Sequence, residues 1–301
     1  MSRVRTRIGP VRLLLPLAAL ATSLALPATA SAAPVPLSST PTATPTATST
    51  GSVHVVAVGD VARAGGGQTA TARLVAAHRP QAVLLLGDLA YDTGSAADFT
   101  SWFAPSYGRF RSITWPVPGN HEYGTRGAAG YRAYFRVVGP TWWVRRSGAW
   151  TVIGLDSEQV TSSAQRSFLL TALRSNRGRP TVVAWHRPRV SSGAHGGAAD
   201  TQPLYALVAA DPDVRIILWG HDHDYQRMSL PFGARAPLTA FVVGTGGAEL
   251  RPVTRPAPAA WSRKVVAGRY GVLDLVLRPR SFSFTFTSVD GVVRDSGSSA
   301  F

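Results

Sequence analysis

The chain has 301 residues, 45% of them apolar and 16% charged, with a formal charge of +15 and no cysteine. Such a length holds one core of about 250 residues once the ends are discounted, and the missing thiols exclude a disulfide framework, thiol redox chemistry and a lipid-attachment cysteine. A basic surface suits nucleic acid or other polyanions, but the arginines are scattered with no aromatic-interleaved cluster, so nucleic acid is not expected as the primary partner.

At the N-terminus, Arg3, Arg5, Arg7 and Arg12 precede an apolar run over 13–26 and the small residues Ala30-Ser31-Ala32. This predicts a secretory signal at 1–32, cleaved after Ala32, and a secreted protein; without the four arginines the charge is +11. The apolar run is shorter than the roughly 20 residues that span a bilayer, so no stable membrane span is expected after cleavage, an uncleaved anchor being the alternative. Residues 33–51 are low-complexity Pro, Ser and Thr and read as a solvated linker. The folded domain is expected over 52–301.

Within it, 53–58 and 82–86 read as buried strands around a helix at 68–78, a βαβ rhythm. A helix over 96–107 and a strand over 113–117 follow, Pro116 placing that strand at a sheet edge or an irregular end. Next come a strand at 150–155, a helix at 164–175 with Ser162 and Gln165 spaced as a capping box, a strand at 181–185, a helix at 203–210 and a strand at 214–219. Later strands at 238–243, 270–277 and 281–288 have no long helix between them, and Phe282, Phe284 and Phe286 alternate with Ser and Thr as in a half-buried antiparallel strand. The late strands therefore predict a mainly antiparallel second sheet packed on the first. The expected architecture is α/β: a four-layer αββα sandwich, two packed mixed β-sheets flanked by helices.

Five polar segments interrupt this pattern: Gly59-Asp60, Gly87-Asp88-Leu89-Ala90-Tyr91, Gly119-Asn120-His121-Glu122, Trp185-His186 and Gly220-His221-Asp222-His223. Each follows an apolar strand, where a mixed α/β sheet places its ligand crevice. Their oxygen and nitrogen donors suffice for two metal ions, and the glycines let backbone approach a compact centre. His221 and His223, two apart, would point to the same side of an extended backbone. Asp88 has two oxygens and could bridge the ions; Tyr91 is either a core aromatic or a phenolate ligand that favours a hard ion such as Fe³⁺. Glu122 fits a residue that orients ligands, while His54 and His78 carry no functional signal.

Together, Asp60, Gly87-Asp88-x-x-Tyr91, Gly119-Asn120-His121-Glu122, His186 and Gly220-His221-x-His223 resemble the pattern of the calcineurin-like metallophosphoesterases, specifically the purple acid phosphatase branch. The resemblance covers about 53–290. It implies that Asp60, Asp88, Tyr91 and His223 hold a ferric ion and that Asp88, Asn120, His186 and His221 hold a divalent one (Zn²⁺, Mn²⁺ or Fe²⁺). By the same resemblance His121 is no ligand but reaches the phosphate or the leaving oxygen, and His195 matches a second substrate histidine, a surface-loop histidine being the plain alternative. Tyr225 and Arg227 match a supporting Tyr-x-Arg, and 244–247 a late glycine turn. The sequence departs from the family at Val61-Ala62, where no histidine ligand is offered and Tyr91 must complete the site, and at Asp222 and Asp224, where relatives usually carry neutral residues. No room exists for the extra β-sandwich domain of the larger plant-type members.

These readings imply a secreted phosphatase that hydrolyses phosphate monoesters by in-line attack of a metal-bound hydroxide, on a small phosphoester substrate. A phosphodiesterase or nucleotidase on the same centre, or a non-catalytic cell-surface polyanion-binding protein, are the alternatives.

Overall fold

The computed structural model describes residues 51–231, 238–254 and 260–301; the predicted signal and the linker up to residue 50 lie outside them. Among these described residues, thirteen strands form two mixed sheets. In the first, β1 (Val53–Val58), β2 (Ala82–Leu86) and β3 (Thr114–Val117) run parallel, and β11 (Gly271–Arg278), β12 (Ser281–Ser288) and β13 (Val293–Ala300) continue antiparallel from β1, giving the order β13-β12-β11-β1-β2-β3. The second has the order β10-β8-β9-β7-β6-β5-β4, built from β4 (Trp143–Ser147), β5 (Trp150–Gly154), β6 (Thr181–Ala184), β7 (Val214–Trp219), β8 (Tyr225–Leu230), β9 (Leu238–Val243) and β10 (Ser262–Val266).

Three apolar layers hold the sheets and helices together. Alternate residues of β1 face opposite ways, as strand geometry demands: Val53, Val55 and Ala57 meet Trp150, Val152, Ile216 and Phe241 of the other sheet, whereas Val56 and Val58 meet α1 (Gln68–His78) and the aromatic segment that follows β2. On the far side, Ile153, Val183 and Ile217 pack on Leu169 and Leu173 of α5 (Ser163–Ser175) and on Leu204 and Val208 of α6 (Gln202–Ala210). Helix, sheet, sheet and helix are thus the four expected layers. Phe282, Phe284 and Phe286 all turn into the inter-sheet core, each contributing about 2 kcal/mol by burial. Among the described residues no helix is long and apolar enough to cross a membrane.

Several local expectations change. The late strands make no sheet of their own: β9 joins β7 in parallel while β11 and β12 complete the first sheet beside β1, where alternate residues of β11 and β12 add to the inter-sheet core. The helix expected over 96–107 is divided into α2 (Ala96–Asp98), a π-helical turn at Phe99–Phe103 and α3 (Ala104–Tyr107), with Phe99, Phe103 and Tyr107 buried together. Pro116 does lie on an edge strand, β3, where its missing N–H costs no ladder bond. Ser162 caps α5 by accepting from the Gln165 N–H, but the Gln165 side chain turns away to bond Asp156 N and O and Gln159 O, so the reciprocal half of a capping box is absent. Strands β4, β8, β10 and β13 and the helix α4 (Ala129–Phe135) were not anticipated.

Candidate metal centre

The five polar segments converge at one end of both sheets. Asp60 follows β1, Asp88 follows β2, Asn120 follows β3, His186 follows β6, and His221 and His223 follow β7. To turn inward so soon after a strand, Asp60, Asp88 and His221 take left-handed backbone at φ 58°, 51° and 72°, a conformation that costs non-glycine residues and clusters at functional sites. Approach is also close. A Cβ on Gly119 would lie 2.2 Å from Asp88 Oδ1, and one on Gly220 would lie 2.7 Å from Asp60 Oδ2, so neither position accepts a side chain without displacing a carboxylate.

Two donor groups meet at Asp88. In one, the Tyr91 hydroxyl lies 3.1 Å from Asp60 Oδ1, 3.3 Å from Asp88 Oδ2 and 3.2 Å from His223 Nε2, and His223 Nε2 lies 3.4 Å from Asp60 Oδ1. In the other, His186 Nε2 lies 3.0 Å from Asp88 Oδ2 and 3.2 Å from His221 Nδ1. Buried Asn120 Oδ1 has no hydrogen-bond partner among the described residues, an orphan acceptor that a cation would satisfy. His186 Nδ1 donates to the Leu86 carbonyl and His223 Nδ1 to the Glu249 carbonyl; each ring therefore aims its Nε2 at the carboxylates, the arrangement by which metal-binding histidines are oriented. These residues fit two ions, with Asp88 common to both groups. His221 and His223 reach the centre not on extended backbone, as expected, but through bends in which Asp222 N–H donates to Gly220 O and Asp224 N–H to Asp222 O.

Around the donors lies a supporting layer. One Glu122 carboxyl, fully buried, accepts from the backbone N–H groups of Gly119, Asp88, Leu89 and Ala90 at 2.7, 2.9, 2.8 and 3.3 Å, which fixes the two loops that carry Asp88 and Asn120. His121 donates its backbone N–H to Asp88 Oδ1 at 2.8 Å and its ring Nδ1–H to the Asp92 carbonyl at 2.6 Å, leaving Nε2 free to face the centre, 3.9 Å from Asp88 Oδ2. His195 is no detached surface histidine: its ring stacks on His221 at 4.3 Å, and its backbone N–H donates to Asp222 Oδ1. No local pattern signals that Asp222 anchors the 191–195 loop, accepting also from Ser191 Oγ, or that Arg251 donates to His195 Nε2 at 2.8 Å. Tyr225 and Arg227 both donate to Asp295 of β13, a tie between the two sheets.

Charge is finely opposed here. Burial works against an ionised Asp88, yet His186 and His121 hold its carboxyl well below the usual range. Burial alone would lower His186, but Asp88 carries it up to about 10, whereas burial and His186 push His221 down to about 3. Burial and Asp88 push Glu122 up to about 8 against the pull of the Gly119 and Leu89 N–H groups; burial and the Asp60 and Asp88 carboxylates raise the Tyr91 phenol. Bound cations reverse such shifts.

His186, raised above 6.5, adds stability below pH 6.5 that is lost as pH climbs through about 10, and Asp88, held below 3.8, adds stability above pH 3.8 that is lost on acidification. Chelator-stripped protein is accordingly expected to melt highest between about pH 4 and 6.5 and to weaken towards pH 10, while metal-loaded protein keeps its stability on the alkaline side because the ion replaces the His186 proton. Thermal melts of the two forms across pH check this; parallel profiles would contradict it.

No curated protein matches the chain. Among solved structures, a purple acid phosphatase from yellow lupin (Lupinus luteus) seeds superposes with a TM-score of 0.71 at 20% identity, over 83% of this chain and 54% of that one, so the chain spans about half the length of that relative. GAP50, the anchor in the inner membrane complex of Plasmodium, gives 0.66 at 14% identity over 83% and 89% of the two chains. A dimetal phosphatase from Danio rerio gives 0.56 at 11% identity over 83% and 99%. At these identities the likeness is one of fold. The sequence model for calcineurin-like phosphoesterases, however, matches residues 53–225, more than half of the chain and all the candidate ligands. The chain belongs to the calcineurin-like phosphoesterase family, a family of metal-dependent phosphoester hydrolases.

Proposed function

We propose that this protein is a secreted, purple acid phosphatase-like enzyme that hydrolyses phosphate monoesters on a centre of Fe³⁺ and a divalent ion (Zn²⁺, Mn²⁺ or Fe²⁺). The observation that carries the reading is the pair of donor groups sharing Asp88, one completed by the Tyr91 hydroxyl and the other by the orphan Asn120 Oδ1. Asp60, Asp88, Tyr91 and His223 would hold the harder ion; Asp88, Asn120, His186 and His221 the divalent one. When bound, two cations supply charge to neutralise phosphate oxygens and acidify a water.

The chain's own groups complete the chemistry. As water oxygen bonds to phosphorus in line and the ester P–O bond breaks, the leaving oxygen needs a proton. His121 can give it: its Nδ1–H is committed to Asp92, so a proton on Nε2 faces the centre. His195, positioned by Asp222 and Arg251 and stacked on His221, stands beside the second donor group, where its ring would turn from Arg251 to meet the phosphate oxygens.

The test uses protein recovered from the culture medium with its N-terminus at Ala33, assayed on aryl phosphate monoesters and diesters. Faster monoester hydrolysis, with a visible absorption band that Tyr91→Phe abolishes, is the expected result. Faster diester hydrolysis would favour a phosphodiesterase, a colourless wild type holding only zinc or manganese would remove the iron, and retention of the protein in the cell would remove export.

A further inference from the structure

At the opposite end of β1, three residues far apart in sequence come together. His54 is the second residue of β1, and Asp274 lies on β11 opposite Val56, so the two are diagonal neighbours on the face that packs against α1. His78 is the last residue of α1, after which Arg79 turns the chain in left-handed backbone. His54 Nε2 and His78 Nδ1 both contact the same oxygen, Asp274 Oδ2, the second at 3.0 Å. All three donor atoms fall within 4.8 Å of one another. Asp60 lies six positions after His54, about 20 Å at strand rise, and the cluster shares no residue with the dinuclear centre.

We propose that His54, His78 and Asp274 bind a single divalent transition ion of the zinc type, at a second site that joins α1 to the two central strands of the first sheet. Two imidazoles and one carboxylate are donors for Zn²⁺, Ni²⁺ or Cu²⁺ and not for Mg²⁺ or Ca²⁺, which take oxygen ligands. Around a tetrahedral zinc with bonds of about 2.1 Å, donors stand roughly 3.4 Å apart; the His78–Asp274 pair reaches that spacing by opening less than half an ångström, and His54, in closer contact with the same oxygen, must draw back from it to admit the ion. The supports are already in place: His54 N–H donates to Gln81 Oε1 at 2.8 Å, and Gln81 N–H returns to the His54 carbonyl at 2.9 Å. The carboxyl end of α1 points its partial negative charge at the cluster, which favours a cation. Burial disfavours an ionised Asp274, but the hydrogen bonds from His78 and His54 hold its carboxyl below the usual range, so it is available as a charged ligand. His54 and His78 are about a quarter exposed, at 27% and 25%, leaving a path for the ion and room for water as the remaining ligand.

The inference does not rest on the phosphatase reading, and the readout that decides it is a count of bound ions. Full-length chain stripped with chelator is dialysed against Zn²⁺, and bound zinc is counted per chain. Wild type is expected to retain one more ion than His78→Gln and Asp274→Asn, while aryl phosphate hydrolysis by His78→Gln stays at the wild-type rate. Equal counts in all three overturn the site and leave Asp274 as a carboxylate that merely accepts from two histidines. Should the buried Asp274→Asn fail to fold, wild-type crystals grown with Zn²⁺ decide: an anomalous peak among the three side chains supports the site, and its absence overturns it.

Discussion

Asp88→Asn is expected to reduce kcat/KM on an aryl phosphate by about three orders of magnitude, the equivalent of some 4 kcal/mol of lost metal-assisted stabilisation at 1.36 kcal/mol per decade. Asparagine conserves the volume, and its carbonyl still accepts from the His121 N–H as Oδ1 does now at 2.8 Å. The damage falls on the other atom. Oδ2, which lies 3.3 Å from the Tyr91 hydroxyl and 3.0 Å from His186 Nε2, becomes an amide nitrogen that has no lone pair for a cation and no charge for His186. Metal analysis should then find fewer than two ions at this centre. A second readout is intrinsic to the fold: without the carboxylate that carries His186 up to about 10, the alkaline loss of stability in chelator-stripped protein should flatten. Near-normal kcat/KM in a variant that keeps both ions would refute a shared ligand at this position.

Glu122→Gln should lower the melting temperature of metal-loaded protein by about 10 °C, from a loss of roughly 3 kcal/mol at 2–4 °C per kcal/mol in a domain of this size. The reasoning is a donor count. Four backbone N–H groups converge on one carboxylate; a glutamine keeps one carbonyl oxygen and presents an NH₂ to the others, leaving one or two buried donors unpaired at 1–3 kcal/mol each. Since those donors belong to the loops that carry Asp88 and Asn120, metal affinity should fall by about 10–100-fold as well. An unchanged melting temperature would mean that Glu122 is a neutral acid, which an amide imitates, and not an anion clamped by N–H groups.

How far these features were legible in the sequence depended on whether their cause was local. Strands β1 and β2 announce themselves as apolar runs closed by Gly-Asp, and the donor segments follow directly, because a ligand crevice at strand ends leaves a polar break after an apolar stretch. Strand β4 carries exposed Arg145 and Arg146, and β13, with the sequence VRDSGSSA, is mostly polar; both are sheet edges that exist because a neighbour pairs with them, which no periodicity reports. The exchange of late strands between the sheets was hidden for the same reason. At the site, the donor identities were readable, but Asp222 as the anchor of His195 and the meeting of His54 and His78 on Asp274 depend on contacts across 27 to 220 residues, beyond any local pattern.

The pairing of β1 with β11 also has a kinetic side. Val55 stands opposite Leu275 and Val53 opposite Leu277, so the central strand of the first sheet gains its second neighbour only when nearly the whole domain is available. Contacts of such sequence separation raise contact order and slow the search for the native topology, and a chain still lacking β11 would hold β1 with one apolar edge open to pairing with another molecule. The family's matched segment, which ends at residue 225, contains every candidate ligand yet lacks the strand that closes this edge. Expressed alone, it would carry the candidate ligands with that apolar edge left open.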